Sequence, residues 1–237
     1  MRVLVTGGAG FIGSHVIKKL LQNKENVVFN LDKMGYASST YMLDKLIEEN
    51  SSISSNQYKF LNIDLSSKSE TEKAVEEAKP NLIMHLAAES HVDRSIDGPE
   101  EFIKSNIVGT FNLLESARKF WSTLNSDDKK NFRFHHISTD EVFGSLGELG
   151  SFSEETPYDP RSPYSASKAS SDHLVKAWFH TYKLPIVLTN RSNNYGPWQF
   201  PEKLIPLVIL KALQSKKIPI YGDGLNIRDW LFIEDHV

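Results

Sequence analysis

Three glycines spaced three residues apart follow an apolar run at the start of the chain. Residues 2–6 (RVLVT) are typical of a buried parallel strand, and apolar residues at helical spacing begin at Ile12. Gly7, Gly10 and Gly13 therefore lie in a turn between a strand and a helix. Glycine permits such a tight turn and lets backbone N–H groups approach a phosphate at the helix N-terminus. A tight turn that binds no ligand is the alternative, and the motif alone leaves it open.

A second strand ends in an acidic residue at the distance that a dinucleotide-binding fold requires. The stretch NVVFNLD ends at Asp32, 19 residues after Gly13. A carboxylate near this position accepts hydrogen bonds from the adenosine ribose. Because it also repels a 2′-phosphate, the sequence predicts NAD rather than NADP. Taken alone, Asp32 also fits an ordinary turn residue at a strand end.

Strands and helices alternate along the first 190 residues. Further strands are predicted at YKFLNIDL, NLIMHLAA, FRFHHIS and PIVLTN, and helices at the start of 41–57, SSKSETEKAVEEAKP, 99–121 and PYSASKASSDHLVKAWFHTYK. The connections are long enough for parallel pairing, so we predict an α/β fold with a doubly wound parallel sheet (a Rossmann fold).

The pattern changes at about residue 191. A loop rich in Asn, Pro and aromatic residues is followed by a predicted helix (LIPLVILKALQS), a predicted strand (IPIYG) and the start of another helix after IRDWLF. Loops beyond the carboxyl ends of such strands bind the substrate. We therefore expect an NAD-binding Rossmann domain over 1–190 and a partial substrate-binding region, truncated at its C-terminus, over 191–237.

Composition excludes several classes of protein. The chain has 237 residues, a net charge of −3 and a pI near 6.2, which argue against a nucleic-acid partner. It has no cysteine, which excludes disulfides and thiolate chemistry and fits a reducing compartment. No leader or transmembrane stretch is recognisable. We expect a cytoplasmic protein without membrane or metal partners.

Tyr164 and Lys168 stand four residues apart in YSASK, on one face of the helix after the fifth strand. The ordinary pKa of a tyrosine phenol is about 10, so it is a poor base near neutrality. A neighbouring ammonium favours the phenolate and lowers that pKa. Such a tyrosine can take a proton from a sugar alcohol. Tyr and Lys four residues apart are common by chance. The position of this pair after the fifth strand is what favours a catalytic role for it.

The stretch STDEVFG at the end of the fifth strand adds Thr139, Asp140 and Glu141. Thr139 can hydrogen-bond the hydroxyl that is oxidised. Two adjacent carboxyl groups suit acid and base roles if their surroundings separate their pKa values. A solvated acidic turn is the alternative.

On several stretches at once the chain resembles the extended short-chain dehydrogenase/reductase family. These stretches are TGGAGFIG, HLAAESHVDRSI, NIVGTFNLLE, STDEVFG, YSASK, SNNYGP, PEKLIPL and YGDGLNIRDWLFIEDH. The similarity runs from Met1 to Val237. Within the family, the TDE triplet resembles the nucleotide-sugar 4,6-dehydratases rather than the epimerases, and SNNYGP with PEKLIPL favours dTDP-glucose as substrate.

The resemblance implies which residues contact NAD and the nucleotide sugar. The implied NAD contacts, ordered from the pyrophosphate through the ribose and adenine to the nicotinamide side, are Gly7, Gly10, Phe11, Ile12, Gly13, Asp32, Lys33, Asp64, Leu65, Leu86, Ala87, Ala88, Glu89, Ser90, Ser105, Tyr164, Lys168 and Asn194. The implied substrate contacts are Ser90, Thr139, Asn193, Lys203, Leu204, Pro219, Tyr221 and Arg228. Lys203 and Arg228 suit a diphosphate, although most such cations are solvated surface charges.

The implied reaction is a dehydration on one bound NAD. Tyr164 deprotonates the C4 hydroxyl as hydride passes to NAD, Glu141 removes the C5 proton while Asp140 protonates the departing C6 hydroxyl, and the hydride returns to C6. The alternatives are a UDP-glucose 4,6-dehydratase, a nucleotide-sugar epimerase and a non-catalytic NAD-binding fragment. The two adjacent carboxyl groups argue against the epimerase.

The chain departs from the family pattern at two positions and in its length. Gly35 stands where a hydroxyl residue is common near the ribose, and Arg191 stands where a small residue is usual. Family members extend further at the C-terminus, so we expect a truncated chain. The resemblance also implies a homodimer through helices at about 99–121 and 163–182. Phe111, Leu114, Trp178 and Phe179 give apolar residues for such an interface, and a place in the core is the alternative for them.

Overall fold

The computed structural model describes residues 1–54, 56–146, 149–220 and 223–237. The strands are β1 Arg2–Thr6, β2 Val27–Asp32, β3 Tyr58–Asn62, β4 Leu82–His85, β5 Arg133–Thr139, β6 Ile186–Arg191, β7 Asn193–Tyr195 and β8 Trp230–Phe232. The α-helices are α1 Phe11–Leu20, α2 Tyr41–Glu49, α3 Lys68–Ala78, α4 Val92–Asp97, α5 Pro99–Phe102, α6 Gly109–Thr123, α7 Ser126–Asn131, α8 Pro163–Tyr182, α9 Leu204–Leu213 and α10 Ile233–His236.

Strands β1 to β6 form one parallel sheet in the described part of the chain, in the order β3-β2-β1-β4-β5-β6. This is the doubly wound order of the Rossmann fold, and it confirms the predicted fold class. The order reverses between β1 and β4. A crevice therefore opens beyond the carboxyl ends of the strands at this point.

Two apolar layers hold the sheet between its helices. Successive residues of β1 point to opposite faces. Leu4 packs in a cluster with Ile83, Leu113 and Val175, whereas its neighbour Val3 packs on the other face in a cluster that includes residues of α1 and α2. Helices cover both faces, which explains why β1 is apolar throughout.

The helix predicted over 99–121 is interrupted. It consists of α5, a π-helical segment at Ile103–Val108, and α6, which runs to Thr123. Asn106 lies in the π-helical segment and is buried. Single π-helical turns of this kind are frequent at functional sites.

Beyond residue 190 the structure differs from the predicted pattern in two features and agrees with it in a third. The predicted strand over IPIYG is wrong for 218–220, which have no regular structure, and its last two residues lie outside the described residues. The parallel pair β7–β8 was not predicted, because each strand is only three residues long. Helix α10 confirms the predicted helix start after IRDWLF.

The apolar residues expected on the surface of α6 and α8 are not all exposed. Leu114 is fully buried in the core, so it supplies no surface. Phe111 and Phe179 are 39% and 44% exposed. Trp178 is half-buried and packs edge-on against Phe111. No helix among the described residues has the length and apolar character needed to cross a membrane.

Candidate active site

A cleft of about 430 Å³ lies at the carboxyl ends of the parallel strands. It brings together most of the residues that the sequence analysis singled out. Predicted residues that line it are Gly7, Gly10, Phe11, Ile12, Gly13, Asp32, Lys33, Asp64, Leu65, Leu86, Ala87, Ala88, Glu89, Ser90, Ser105, Thr139, Glu141, Tyr164, Lys168, Asn193, Asn194, Lys203, Leu204 and Arg228. Asp140 and Pro219 are not among the lining residues, and Tyr221 lies outside the described residues.

The glycine turn forms one end of the cleft, and its shape excludes side chains. Gly7 has φ +72°, and a Cβ there would lie 2.6 Å from the backbone nitrogen of Ala87. A Cβ on Gly13 would overlap the carbonyl oxygen of Gly7. Helix α1 begins after Gly10 without a side-chain cap, so its first N–H groups are available to a ligand. Together with the helix dipole they form a site suited to an anion such as a pyrophosphate.

Asp32, at the end of β2, is bound by three groups of its own chain. Its carboxylate accepts hydrogen bonds from Ala9 N (3.0 Å), Met34 N (2.9 Å) and the Ser38 hydroxyl (2.9 Å). These donors hold the side chain in a fixed orientation on the wall of the cleft. Next to it, Lys33 pairs with Glu89 at 2.9 Å, which joins the end of β2 to the segment that follows β4.

Asn106 fixes the segment after β4, although sequence reasoning gave it no site role. Its side chain accepts from Glu89 N (2.8 Å) and donates to Glu89 O (3.0 Å) and to the Ser167 hydroxyl (2.8 Å). The segment that follows β4 is thereby tied to α8. A buried amide on an otherwise apolar helix face was the signal that could have revealed this role.

Tyr164 and Lys168 project from α8 towards the end of β5, and both are 4% exposed. The Lys168 ammonium donates to the carbonyl of Ile137 at 3.0 Å. Burial raises the pKa of Tyr164 to about 12, and the cation that opposes this rise most strongly is Arg191. Burial lowers the pKa of Lys168 to about 8. The sequence analysis left Arg191 unexplained. In the structure it is the cation that acts on the Tyr164 phenol.

Thr139, Asp140 and Glu141 occupy the junction between β5 and a short 3₁₀ turn at Asp140–Phe143. The Thr139 hydroxyl donates to Asp140 at 3.2 Å and accepts from Glu141 N at 3.3 Å. Burial raises the pKa of both carboxyl groups, and for Glu141 the charge of Asp140 raises it further. A carboxylate whose pKa is raised towards neutrality is a more effective general base.

The far end of the cleft carries the predicted cations. Lys203 donates to the carbonyl of Ser90 at 3.2 Å, and burial lowers its pKa. Two further predicted residues differ in their surroundings. Asn194 is buried, donates to Leu231 O and pairs with His236 at 2.6 Å. Pro219 is exposed, and nothing in the described residues brings it to the cleft.

Sequence reasoning missed part of the lining. The additional lining residues are Leu31, Gly35, Tyr36, Ala37, Ser38, Ile63, Ile137, Ser138, Arg191, Gln199, Phe200, Glu202 and Trp230. Four of them directly precede residues that were predicted, namely Leu31, Ile63, Ser138 and Glu202. Among the missed residues, Tyr36 connects segments that are far apart in the chain. Its hydroxyl donates to Glu202 at 2.7 Å, and the Arg94 guanidinium lies 3.6 Å from its ring centre. No group of three metal-ligating side chains occurs among the described residues.

Comparisons with known proteins agree with this geometry. The family model described as GDP-mannose 4,6 dehydratase matches residues 4–237. The chain is 56% identical over 245 residues to the dTDP-glucose 4,6-dehydratase of Salmonella typhimurium and 55% identical over 236 residues to that of Neisseria meningitidis serogroup B. The alignments cover 100% and 99% of this chain, but only 66% and 65% of those relatives.

Solved structures show the same similarity. The dTDP-glucose 4,6-dehydratase of Bacillus anthracis, in complex with NAD, is 41% identical with a TM-score of 0.85, and DesIV of Streptomyces venezuelae, with NAD bound, is 40% identical with a TM-score of 0.87. Each comparison covers 100% of this chain and 69% of the other. A UDP-glucuronic acid 4-epimerase from Bacillus cereus is 31% identical with a TM-score of 0.85, and 70% of it is covered.

Proposed function

The chain belongs to the GDP-mannose 4,6 dehydratase family, and from that membership we propose that it is an NAD-dependent nucleotide-sugar 4,6-dehydratase, a lyase that converts dTDP-glucose to dTDP-4-keto-6-deoxyglucose. The observation that carries the proposal is that Thr139, Glu141, Tyr164 and Lys168 line one cleft with the glycine turn. Relatives named dTDP-glucose 4,6-dehydratase at 55–56% identity support this substrate.

The residues of the cleft fit NAD. A Cβ would fill the hollow at Gly7 or Gly13, so this backbone is shaped for close approach by a pyrophosphate. Asp32 presents a buried carboxylate at the position expected for the adenosine ribose. When bound, NAD supplies a hydride acceptor that is regenerated within the cycle. In the proposed division, residues 1–190 hold the cofactor and 191–237 hold part of the sugar nucleotide.

Tyr164 is proposed to accept the proton of the C4 hydroxyl. Its burial keeps the phenol protonated at rest, because it raises the pKa to about 12. Positive charge near the phenol lowers the cost of forming phenolate. Arg191 lines the cleft and is the cation that lowers the pKa of Tyr164, and Lys168, one helical turn along α8, is proposed to add to that charge. Thr139, which also lines the cleft, is proposed to hold the same hydroxyl.

Elimination of water is assigned to the adjacent carboxyl groups. Glu141 lines the cleft and is proposed to remove the C5 proton, while Asp140 is proposed to protonate the departing C6 hydroxyl. Burial raises the pKa of both groups, which favours a proton on Asp140 as the acid and makes Glu141 a stronger base. Asp140 accepts a hydrogen bond from the Thr139 hydroxyl and is not among the residues that line the cleft, so we expect it to turn towards the cleft when substrate binds.

The diphosphate of the substrate is proposed to lie between Lys203 and Arg228, which both line the cleft. Two cations offset its charge. Ser90, Asn193 and Leu204 complete the proposed substrate wall. Pro219 and Tyr221 remain expectations from the family resemblance.

One assay tests this proposal. The chain is incubated with NAD and either dTDP-glucose or UDP-glucose, and products are identified by mass and by alkaline absorbance of the 4-keto-6-deoxy sugar. Product from dTDP-glucose is expected, with Tyr164→Phe as the inactive control. Preferred use of UDP-glucose makes the chain a UDP-glucose 4,6-dehydratase. A C4 epimer without loss of water makes it an epimerase, and NAD binding without turnover makes it a non-catalytic NAD-binding chain.

We further propose a cytoplasmic homodimer. Phe111 on α6 and Phe179 on α8 leave apolar surface exposed on neighbouring helices, which supports a second copy packing there. A nucleotide-sugar substrate agrees with the cytoplasmic location that the sequence predicts. Sedimentation at micromolar concentration is expected to give a dimer, and a monomer alone would contradict this part of the proposal.

A further inference from the structure

Helix α8 carries a third ionisable side chain on the face that bears Tyr164 and Lys168. Asp172 follows Lys168 by one helical turn, as Lys168 follows Tyr164, so the three side chains share one face. Asp172 is fully buried, and Lys168 is 4% exposed. No step of the proposed mechanism uses this carboxylate. A buried charge that forms no part of the cleft surface requires a physical explanation.

Three donors surround Asp172. Its oxygens accept hydrogen bonds from the Ser138 hydroxyl (2.8 Å), the Tyr158 hydroxyl (2.9 Å) and His136 Nε2 (3.0 Å). Burial by itself raises the pKa of Asp172, but the hydrogen bonds from His136 and Ser138 and the charge of Lys168 hold it below its usual value. The side chain is therefore a carboxylate at neutral pH.

His136 does not neutralise this carboxylate. Burial lowers the pKa of His136 to about 4. Its Nε2 bonds to Asp172, whereas its Nδ1 has no hydrogen-bond partner among the described residues. This arrangement fits a neutral ring that donates from Nε2. The negative charge of Asp172 is thus left for another cation.

We propose that Asp172 is a positioning residue whose buried negative charge keeps the Lys168 ammonium protonated and held at the carbonyl of Ile137, beside Tyr164. The consequence for proton transfer at Tyr164 rests on the proposed function. The electrostatic relation between Asp172 and Lys168 does not.

The other groups facing Lys168 do not supply this charge. Tyr164 on the same helix is a neutral phenol, and His136 on β5 and His85 on β4 are buried rings whose pKa values lie below the ordinary value. Arg191 on β6 is positive and lowers the pKa of Lys168, whereas Asp172 raises it.

The margin at Lys168 is small. With a pKa of about 8, only about one unit separates it from neutrality. Asp172 lies one helical turn from Lys168 on α8, and it accepts from Ser138, the neighbour of the Ile137 whose carbonyl Lys168 binds, so both side chains pack against the same part of β5. An opposite charge nearby shifts a pKa by about one to three units. Without Asp172, the neutral amine is therefore expected to predominate at pH 7.

The test is a titration of Lys168 in the full chain. The protein is labelled with ¹³C-lysine, the Cε signal is assigned by its loss in Lys168→Met, and its midpoint is measured against pH. Asp172→Asn removes the charge and keeps the shape. Tyr158→Phe is the matched control, because it removes one donor and leaves the carboxylate.

We expect a midpoint near 8 in the parent, a midpoint lower by about one to three units in Asp172→Asn, and little change in Tyr158→Phe. NAD affinity of Asp172→Asn is expected to weaken relative to the parent at about pH 7, where only the parent keeps Lys168 charged, and to recover at about pH 5, whereas a purely structural defect weakens it equally at both.

Two results overturn the proposal. One is an unchanged midpoint in folded Asp172→Asn, and the other is a parent midpoint above 10, which leaves Lys168 charged without assistance. If Asp172→Asn does not fold, Asp172→Ser, which leaves room for a water to receive the freed donors, is measured in the same way. Because the titration needs no turnover, its failure is distinguishable from failure of the dehydratase assay.

Discussion

Substitution of Gly13 by alanine sets two physical effects against each other. Gly13 lies inside α1, where replacing glycine by alanine stabilises a helix by about 1 kcal/mol. Here, however, the new Cβ overlaps the Gly7 carbonyl oxygen and comes within 2.7 Å of Gly8 Cα. Ordinary carbon contacts are about 3.5–4.0 Å, so the turn must move by about 1 Å.

The clash is expected to win. Overpacking costs about 1–3 kcal/mol, so we expect the free energy of unfolding of Gly13→Ala to fall despite the gain in helix propensity. Because the moved backbone is the proposed pyrophosphate site, NAD affinity is expected to fall at least about tenfold, or about 1.4 kcal/mol. Urea unfolding and calorimetric titration with NAD measure the two effects separately.

Gly35→Ala is the matched control. Gly35 lines the same cleft, but the nearest atom to its added Cβ is Lys33 Cε at 3.9 Å. We expect NAD affinity within about twofold of the parent. The reasoning is refuted if Gly13→Ala is more stable than the parent and binds NAD equally well, because the turn would then have room that the structure denies it.

Three further outcomes are expected. NADP should bind at least about tenfold more weakly than NAD, because the Asp32 carboxylate is held in place by three donors and repels a 2′-phosphate; titration with both dinucleotides checks this, and equal affinity contradicts it. In an active preparation, Glu141→Gln should slow product formation by about 10²–10⁴-fold while reduced nicotinamide accumulates, whereas Tyr164→Phe should give neither signal; product at the parent rate excludes Glu141 as the base. The free energy of unfolding should fall as pH drops from about 6.5 towards 4, because His136 is protonated in the unfolded chain but stays neutral in the folded chain, where its pKa is about 4. The expected loss is about 3 kcal/mol. Urea unfolding at several pH values measures it, and a flat profile would contradict the prediction.

Local patterns in the sequence were sufficient for the sheet and for most of the cleft. The apolar runs of β1 to β6, the glycine turn and Asp32 each depend on residues close together in the chain, and the carboxyl ends of parallel strands necessarily meet at one edge of the sheet. Thr139, Tyr164 and Lys168 could therefore be placed together before any coordinates were known. Their roles in the reaction remain proposals.

Packing alone decided the electrostatics of the site and the contacts between distant segments. Burial determines that the pKa of Tyr164 rises to about 12 and that of Lys168 falls to about 8, and burial has no local sequence signature. The bonds of Tyr36 to Glu202 and of Asn106 to Glu89 and Ser167 join residues far apart in the chain. Asp172 looked like one more polar residue of α8, and only the tertiary structure buries it among Ser138, Tyr158 and His136, where its charge can act on Lys168.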